Sequence, residues 1–247
     1  MTNSKPTTST TSFNGVGSHS MSVSVNNANN ASRNQFNGAS NQNNSNIMSQ
    51  SNIQAEQKPD LIILAGRAGS GKTYLARELA KNLTYAFVDK DTITGSFTDF
   101  ITSSYAANAS ANQASLESAR KQIETIEYQT TFKVCKDLLE SQKKVILAIP
   151  FTNQIDDWFK WTALRNSVGI KPDTRVQFIW VDQDIEQEKE NILTRGEERD
   201  RDKIKNWDNY IESVKDIVPA DEYKAIIFPN DFNKDITTRA EELEAML

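Results

Sequence analysis

The strongest constraint on this chain is a short apolar run that gives way abruptly to glycine. Leu61-Ile62-Ile63-Leu64-Ala65 leads directly into Gly66-Arg67-Ala68-Gly69-Ser70-Gly71-Lys72-Thr73. A run this short, with no polar alternation, predicts a strand covered on both faces. The eight residues after it satisfy G-x-x-x-x-G-K-[ST], with a third glycine at Gly69. Glycines let the backbone curl so that successive N–H groups face one point, and the following helix adds its positive N-terminal end. Such a loop cradles phosphate. The pattern predicts that Gly66, Arg67, Ala68, Gly69, Ser70, Gly71, Lys72 and Thr73 surround a nucleoside triphosphate, with Lys72 on the β and γ phosphates. The Thr73 hydroxyl then takes one site of an octahedral Mg2+. ATP and Mg2+ are the expected ligands. An ordinary glycine-rich turn would leave the lysine and the hydroxyl without a role.

The rest of the chain alternates short apolar runs with helical patterns. Thr73 to Leu83 places Leu75, Ala76, Leu79 and Ala80 at helical spacing, and Ala86-Phe87-Val88 is a second strand running into Asp89-Lys90-Asp91. After a Ser/Ala/Asn-rich stretch, a long helical stripe passes through Ala119, Ile123, Ile126, Phe132, Cys135 and Leu139. Further strands are expected at Val145–Ile149, Val176–Val181 and Ala225–Phe228, with a helix from Asp156 to Asn166, charged helical sequence from 183 to 217 and a terminal helix from Ile236. That order is the mark of an α/β fold: a five-stranded parallel sheet between two helical layers, in the P-loop NTPase manner. Ligands in open sheets of this kind bind beyond the carboxyl ends of the strands. Both Gly66–Thr73 and Asp89–Asp91 fall there.

Composition narrows the chemistry. The chain has 247 residues and a formal charge of −5, which argues against coating nucleic acid through bulk charge. Its one cysteine, Cys135, excludes an intrachain disulfide and a cysteine-based zinc site, and its one histidine, His19, lies in the polar N-terminal stretch. A Ser-His-Asp triad in the folded part is therefore ruled out, and acid–base chemistry falls to carboxylates or lysines. No segment approaches the roughly 20 apolar residues that span a bilayer, and no apolar stretch comes after Lys5 as a secretory signal would require. The expectation is a cytoplasmic protein with no membrane partner. Residues 1–57 are dominated by Asn, Ser, Thr and Gln, with little to bury against the entropy of ordering, so a disordered tail is expected ahead of a P-loop domain over 58–247.

Phosphate-binding loops serve several classes of protein. A GTPase needs N/T-K-x-D near its fifth strand, and Asn233-Lys234-Asp235 lacks the spacer; a hexameric motor needs acids at the end of strand three, where this chain reads Ala148-Ile149-Pro150. A kinase must orient a hydroxyl and take its proton, and a carboxylate does both, typically for 10²- to 10⁴-fold in rate. Asp89 and Asp91, at i and i+2 just past strand two, can point into the cleft together, Asp89 toward a metal-bound water and Asp91 toward the acceptor. The plainer reading is a polar turn in which Asp91-Thr92 caps the next stretch of chain.

Leu61–Leu75, Val88–Thr94, Val145–Thr152 and Arg195–Trp207 together resemble the bacterial AAA-type ATP-binding proteins grouped with small P-loop kinases, such as polynucleotide kinase and zeta-toxin-like enzymes. The resemblance covers residues 60–247. It implies the strand order 2-3-1-4-5, Asp91 as the residue that contacts the acceptor or acts as base, and an arginine lid after strand four with Arg195 and Arg199 as transition-state cations. By composition alone that segment is equally a solvated helix face held by pairs such as Glu197–Arg201. Two departures stand out: relatives often carry Asp where this chain has Ala148, and the arginine that polynucleotide kinases place after their acceptor Asp is replaced by Ile93-Thr94. The latter argues against a nucleic-acid acceptor. Trp158, Trp161, Trp180 and Trp207 are expected to pack rather than stack on a base. The expected activity is Mg-dependent phosphoryl transfer from ATP to a hydroxyl of a small molecule. The alternative is an ATPase or nucleotide-binding regulatory module with no acceptor.

Overall fold

Strand β1, Leu61–Ala65, is buried at every position and sits at the centre of the sheet. The structure, a computed structural model, describes residues 58–107, 113–197 and 200–247. The expected tail over 1–57 and the candidate lid residue Arg199 lie outside the described residues. Strands β2 (Ala86–Asp89), β3 (Val145–Ala148), β4 (Val176–Asp182) and β5 (Ile226–Pro229) complete a five-stranded, all-parallel sheet in the order β2-β3-β1-β4-β5. The expected fold and strand order are those observed. β1 lies between two neighbours, Leu61 opposite both Val145 and Val176, which is why its sequence carries no polar position. At the other end of β3, Ala148 is in register with Leu64 on one side and Asp89 on the other.

Helices cover both faces. On one, α1 (Lys72–Leu83) packs Leu75, Ala76 and Leu79 with Ala240 and Leu243 of α8 (Ile236–Glu244), over Ile62, Leu64 and Ile146. The opposite face carries the aromatic half of the core: Phe132 and Cys135 of α3 (Gln113–Glu140), Trp161 of α4 (Trp158–Val168), and Phe151, Phe178 and Trp180. Phe151 is ringed by Tyr128, Phe132, Trp161, Phe178 and Tyr223 at centroid separations of 5.8 to 6.3 Å. Trp161, Trp180 and Trp207 are buried and Trp158 stacks edge-on against Tyr223 at 5.0 Å, so the tryptophans pack as expected. Burial pushes the Cys135 thiol up to about 12.

Two segments differ from the sequence reading. The stretch after Asp91 is helical: α2 runs Lys90–Ala107 directly out of β2 with no loop between them. Its start is fixed by Asp89, whose Oδ1 accepts from the Thr92 N–H at 2.9 Å, so the cap is Asp89 rather than Asp91. The charged sequence from 183 to 217 divides into α5 (Ile185–Arg195), α6 (Arg201–Lys205) and α7 (Trp207–Val214). Asp235, the acid of the incomplete N/T-K-x-D match, caps α8 through the Thr238 N–H. Among the described residues, no helix is long and apolar enough to cross a membrane.

Candidate active site

The glycine loop turns from β1 into α1 under pressure from two sides. Gly69 has φ +83, and a Cβ there would lie 2.3 Å from the Glu188 carbonyl oxygen of α5. Gly71 has φ +82, and a Cβ there would lie 2.6 Å from Asn230 Nδ2 and 2.7 Å from Phe232 Cζ, in the loop after β5. Only glycine meets both demands, a left-handed backbone and no side chain.

Contacts from distant parts of the chain hold this curl. Arg67 is buried and turns away from the loop's interior: its Nε donates to both Glu188 carboxylate oxygens at 3.1 Å, and its terminal nitrogen donates to Asp182 Oδ1 at 3.1 Å and to the Gln183 carbonyl at 2.8 Å. Burial would lower its pKa, but Glu188 and Asp182 outweigh that and hold it raised. Glu188 is fully buried, and desolvation pushes its carboxyl up to about 7 against the pull of Arg67. Asn191 Nδ2 donates to the Gly69 carbonyl at 2.8 Å, and Asn230 Nδ2 to the Ser70 carbonyl at 2.7 Å. The Ala68 N–H donates to the Tyr210 hydroxyl of α7 at 3.1 Å. Arg239 of α8 completes the scaffold: it donates to Asn230 Oδ1 at 2.9 Å and lies 4.5 Å from the centroid of the Phe232 ring.

Lys72 donates to the Arg67 carbonyl at 3.0 Å, across the mouth of the loop. Desolvation, reinforced by the charges of Arg195 and Lys203 and opposed by Asp91 and Glu188, pulls its ammonium down to about 8. Ser70 Oγ is buried with no hydrogen-bond partner among the described residues. An orphaned hydroxyl costs about 1–3 kcal/mol and marks a place where a further acceptor or donor fits.

Two clefts meet over Thr73, Tyr74 and Arg195. One, of about 320 Å³, is bounded by Gly69, Gly71, Lys72, Asn191, Thr194 and Phe232. The other, of about 310 Å³, is bounded by Arg77, Asp89, Asp91, Thr92 and Glu197. Asp91 is half-buried, and Lys90 Nζ stands 3.1 Å from its Oδ1 and 3.1 Å from Glu127 Oε2 on α3. Burial would lower the Lys90 pKa; the two carboxylates override it and hold Lys90 cationic. Glu127 is also bonded by the hydroxyls of Thr94 and Thr98, so a buried polar network fixes the first turn of α2 and with it Asp91. Arg195 is oriented by Asp200, which accepts from Arg195 Nε and from Lys203 Nζ at 2.8 Å each. A separate cleft at the opposite, N-terminal ends of the strands, lined by Asp60, Lys144 and Lys171, holds none of these residues.

The sequence candidates Lys72, Thr73, Asp89, Asp91 and Arg195 thus line the two adjoining clefts. Arg67 and Ala68 also belong to the loop but are engaged outward, Arg67 through its side chain and Ala68 through its N–H. Residues that no sequence pattern marks are Arg77, Glu188, Asn191, Asp200, Tyr210, Asn230, Phe232 and Arg239. Arg77 lies on α1 itself, and each of the others reaches the site from an element whose position only the folded sheet defines.

The architecture has counterparts among solved structures. A sugar kinase from a Janibacter species superposes with a TM-score of 0.52 at 12% identity, over 76% of this chain and 94% of that one. A candidate kinase from Chloroflexus aurantiacus superposes at 0.51 with 19% identity, over 77% of this chain and 100% of that one. At such identities the likeness is one of fold. No curated protein matches the sequence. A family model described as an AAA domain matches residues 61–216, from the first residue of β1 to just past α7, and so takes in the glycine loop, both aspartates and Arg195. This chain belongs to that AAA-domain family.

Proposed function

We propose that the domain transfers the γ-phosphoryl group of ATP to a hydroxyl of a small molecule with the help of Mg2+. The observation that carries this reading is the shared cleft, in which the P-loop hydroxyl Thr73 and the lid cation Arg195 border the same space as Asp89 and Asp91. A loop that only stores nucleotide has no use for a second, polar chamber with a fixed carboxylate in its wall.

The residues fit the expected ligands. The unpartnered Ser70 hydroxyl, the Lys72 amine at the mouth of the loop and the curled backbone suit an oligophosphate, and Phe232, braced from behind by Arg239, offers a flat face for a base. Mg2+ prefers few protein ligands beside phosphate and water, and Thr73 with Asp89 is such a set. When bound, the metal neutralises charge on the phosphates. Asp89 stands in register beside Ala148, so a carboxylate lies one strand away from where strand three lacks one.

In the transfer, the acceptor O–H bond breaks and its proton passes to the Asp91 carboxylate. The freed oxygen bonds to the γ phosphorus as the bond to the β–γ bridging oxygen breaks, giving ADP. Lys90, pinned by Glu127, holds Asp91 in place, and Lys72 and Arg195 meet the charge on the transferred group. Residues 58–247 form the catalytic domain in this reading, 1–57 a tail outside it, and a cytoplasmic setting agrees with the single buried thiol. The test is to incubate the protein with Mg2+, γ-labelled ATP and a small-molecule extract. A labelled small molecule that disappears with Lys72→Ala supports the reading; labelled inorganic phosphate alone, formed at the same rate with and without extract, establishes the ATPase alternative instead.

A further inference from the structure

The cations in and beside the acceptor cleft are not alike. Arg195 is tied to Asp200, and Lys90 to Asp91 and Glu127. Arg77 is exposed, lines the same cleft, and has no carboxylate partner among the described residues. It lies one helical turn beyond Thr73 on α1, on the same face of the helix. Its guanidinium is 5.4 Å from the centroid of Phe87, which packs on the sheet face that α1 covers. Phe87 and Asp89 are two apart on β2 and so share that face. The ring thus steadies Arg77 beside the carboxylates without neutralising it.

Although Asp89, Asp91 and Glu197 share the cleft, a guanidinium bonded to none of them is open to an anion, and it presents a planar fork that matches carboxylate and phosphate oxygens. We propose that the acceptor is a small hydroxylated anion, which offers its hydroxyl to Asp91 and its carboxylate or phosphate group to Arg77. This rests on the kinase reading and adds to it the class of molecule phosphorylated. The cleft of about 310 Å³ suits a compact polar molecule.

The experiment uses the full chain with Mg2+ and γ-labelled ATP. A nucleotide-depleted small-molecule extract is split on an anion exchanger into an anionic and a neutral fraction, and each is incubated with the protein. Label entering a product from the anionic fraction only is the expected result. Prior phosphatase treatment of that fraction separates the two sources, because an acceptor that survives it carries a carboxylate and one that is lost carries a phosphate. Arg77→Gln should raise the KM for the labelled anion at least about tenfold, the scale of one charge-assisted hydrogen bond, with kcat and the KM for ATP little changed. Arg77→Lys should recover part of the loss. Because Arg77 is exposed, an unchanged melting temperature confirms that the variants are folded. A labelled product from the neutral fraction overturns the anionic class and leaves the kinase reading standing. An anionic acceptor indifferent to Arg77→Gln overturns the role of Arg77. Label in neither fraction overturns the kinase reading and this proposal together.

Discussion

Glu188 gives the sharpest test of how the loop is held. Its side chain is fully buried, the Arg67 side chain is 8% exposed, and the two are joined at 3.1 Å by a guanidinium nitrogen bonded to both carboxylate oxygens. Above pH 7, where Glu188 is ionised, Glu188→Ala leaves Arg67 buried with only Asp182, half exposed, and the Gln183 carbonyl for partners. Breaking a buried pair costs about 3–5 kcal/mol, and the surviving partners place this case near the lower end. For a domain of this size about 3 kcal/mol corresponds to a fall of roughly 6–12 °C in melting temperature. Replacing both partners by apolar residues, Arg67→Met with Glu188→Leu, removes the stranded charge and should restore most of that loss. The pH dependence adds an independent check. Because Glu188 is pushed up to about 7 from its ordinary 4.5, the folded protein keeps a proton that the unfolded chain releases, and stability contributed by this residue falls as pH rises between those values. Glu188→Gln should flatten that slope. Urea denaturation at several pH values, beside thermal melts, measures all three effects. A Glu188→Ala melting temperature within about 2 °C of the parent would refute the reasoning, because it would mean the pair is not desolvated.

Three further outcomes are expected. Lys72→Ala should lose phosphoryl transfer by at least about 10²-fold, as measured by label transfer, and in the parent protein kcat/KM for ATP should decline as pH rises through about 8, where Lys72 loses its charge. Asp91→Asn should slow transfer to the acceptor by about 10²- to 10⁴-fold while nucleotide affinity barely moves; a silent substitution in a working assay would remove Asp91 from the base role. Cys135 should not react with a thiol reagent in the native protein and should react on unfolding, since burial holds the thiol up to about 12.

The unit from Leu61 to Leu83 is legible in the sequence because each residue type there answers to one local demand: apolar for a two-sided strand, glycine for the curl, lysine and threonine for phosphate and metal. The sheet is legible for the same reason, since Val145–Ala148 and Val176–Val181 carry little else. α2 is not legible. Its residues, Thr92, Thr94, Gly95, Ser96 and Thr98 among them, are poor helix formers, and what starts the helix is a single cap by Asp89 joined to a network with Glu127, 33 residues beyond Thr94. Glu188 is hidden differently. It stands among Glu186, Lys189 and Glu190 in a segment that reads as solvated, and only the approach of Gly69, about 120 residues earlier, makes it the buried one. Arg77 likewise reads as a surface residue of α1 until β2 brings Phe87 and Asp89 alongside.

The central place of β1 bears on how the protein is made. β1 has no partner on either side until β3 exists, and Val145 is synthesised 84 residues after Leu61. At about 5–20 residues per second a ribosome needs roughly 4–17 s to cover that distance. Through that interval the emerging chain exposes Leu61–Ala65, five apolar residues with unpaired strand edges and no charge to deter another copy. Yield during expression should therefore depend on translation speed between these two strands and on the supply of nascent-chain chaperones, more than on the stability of the finished domain.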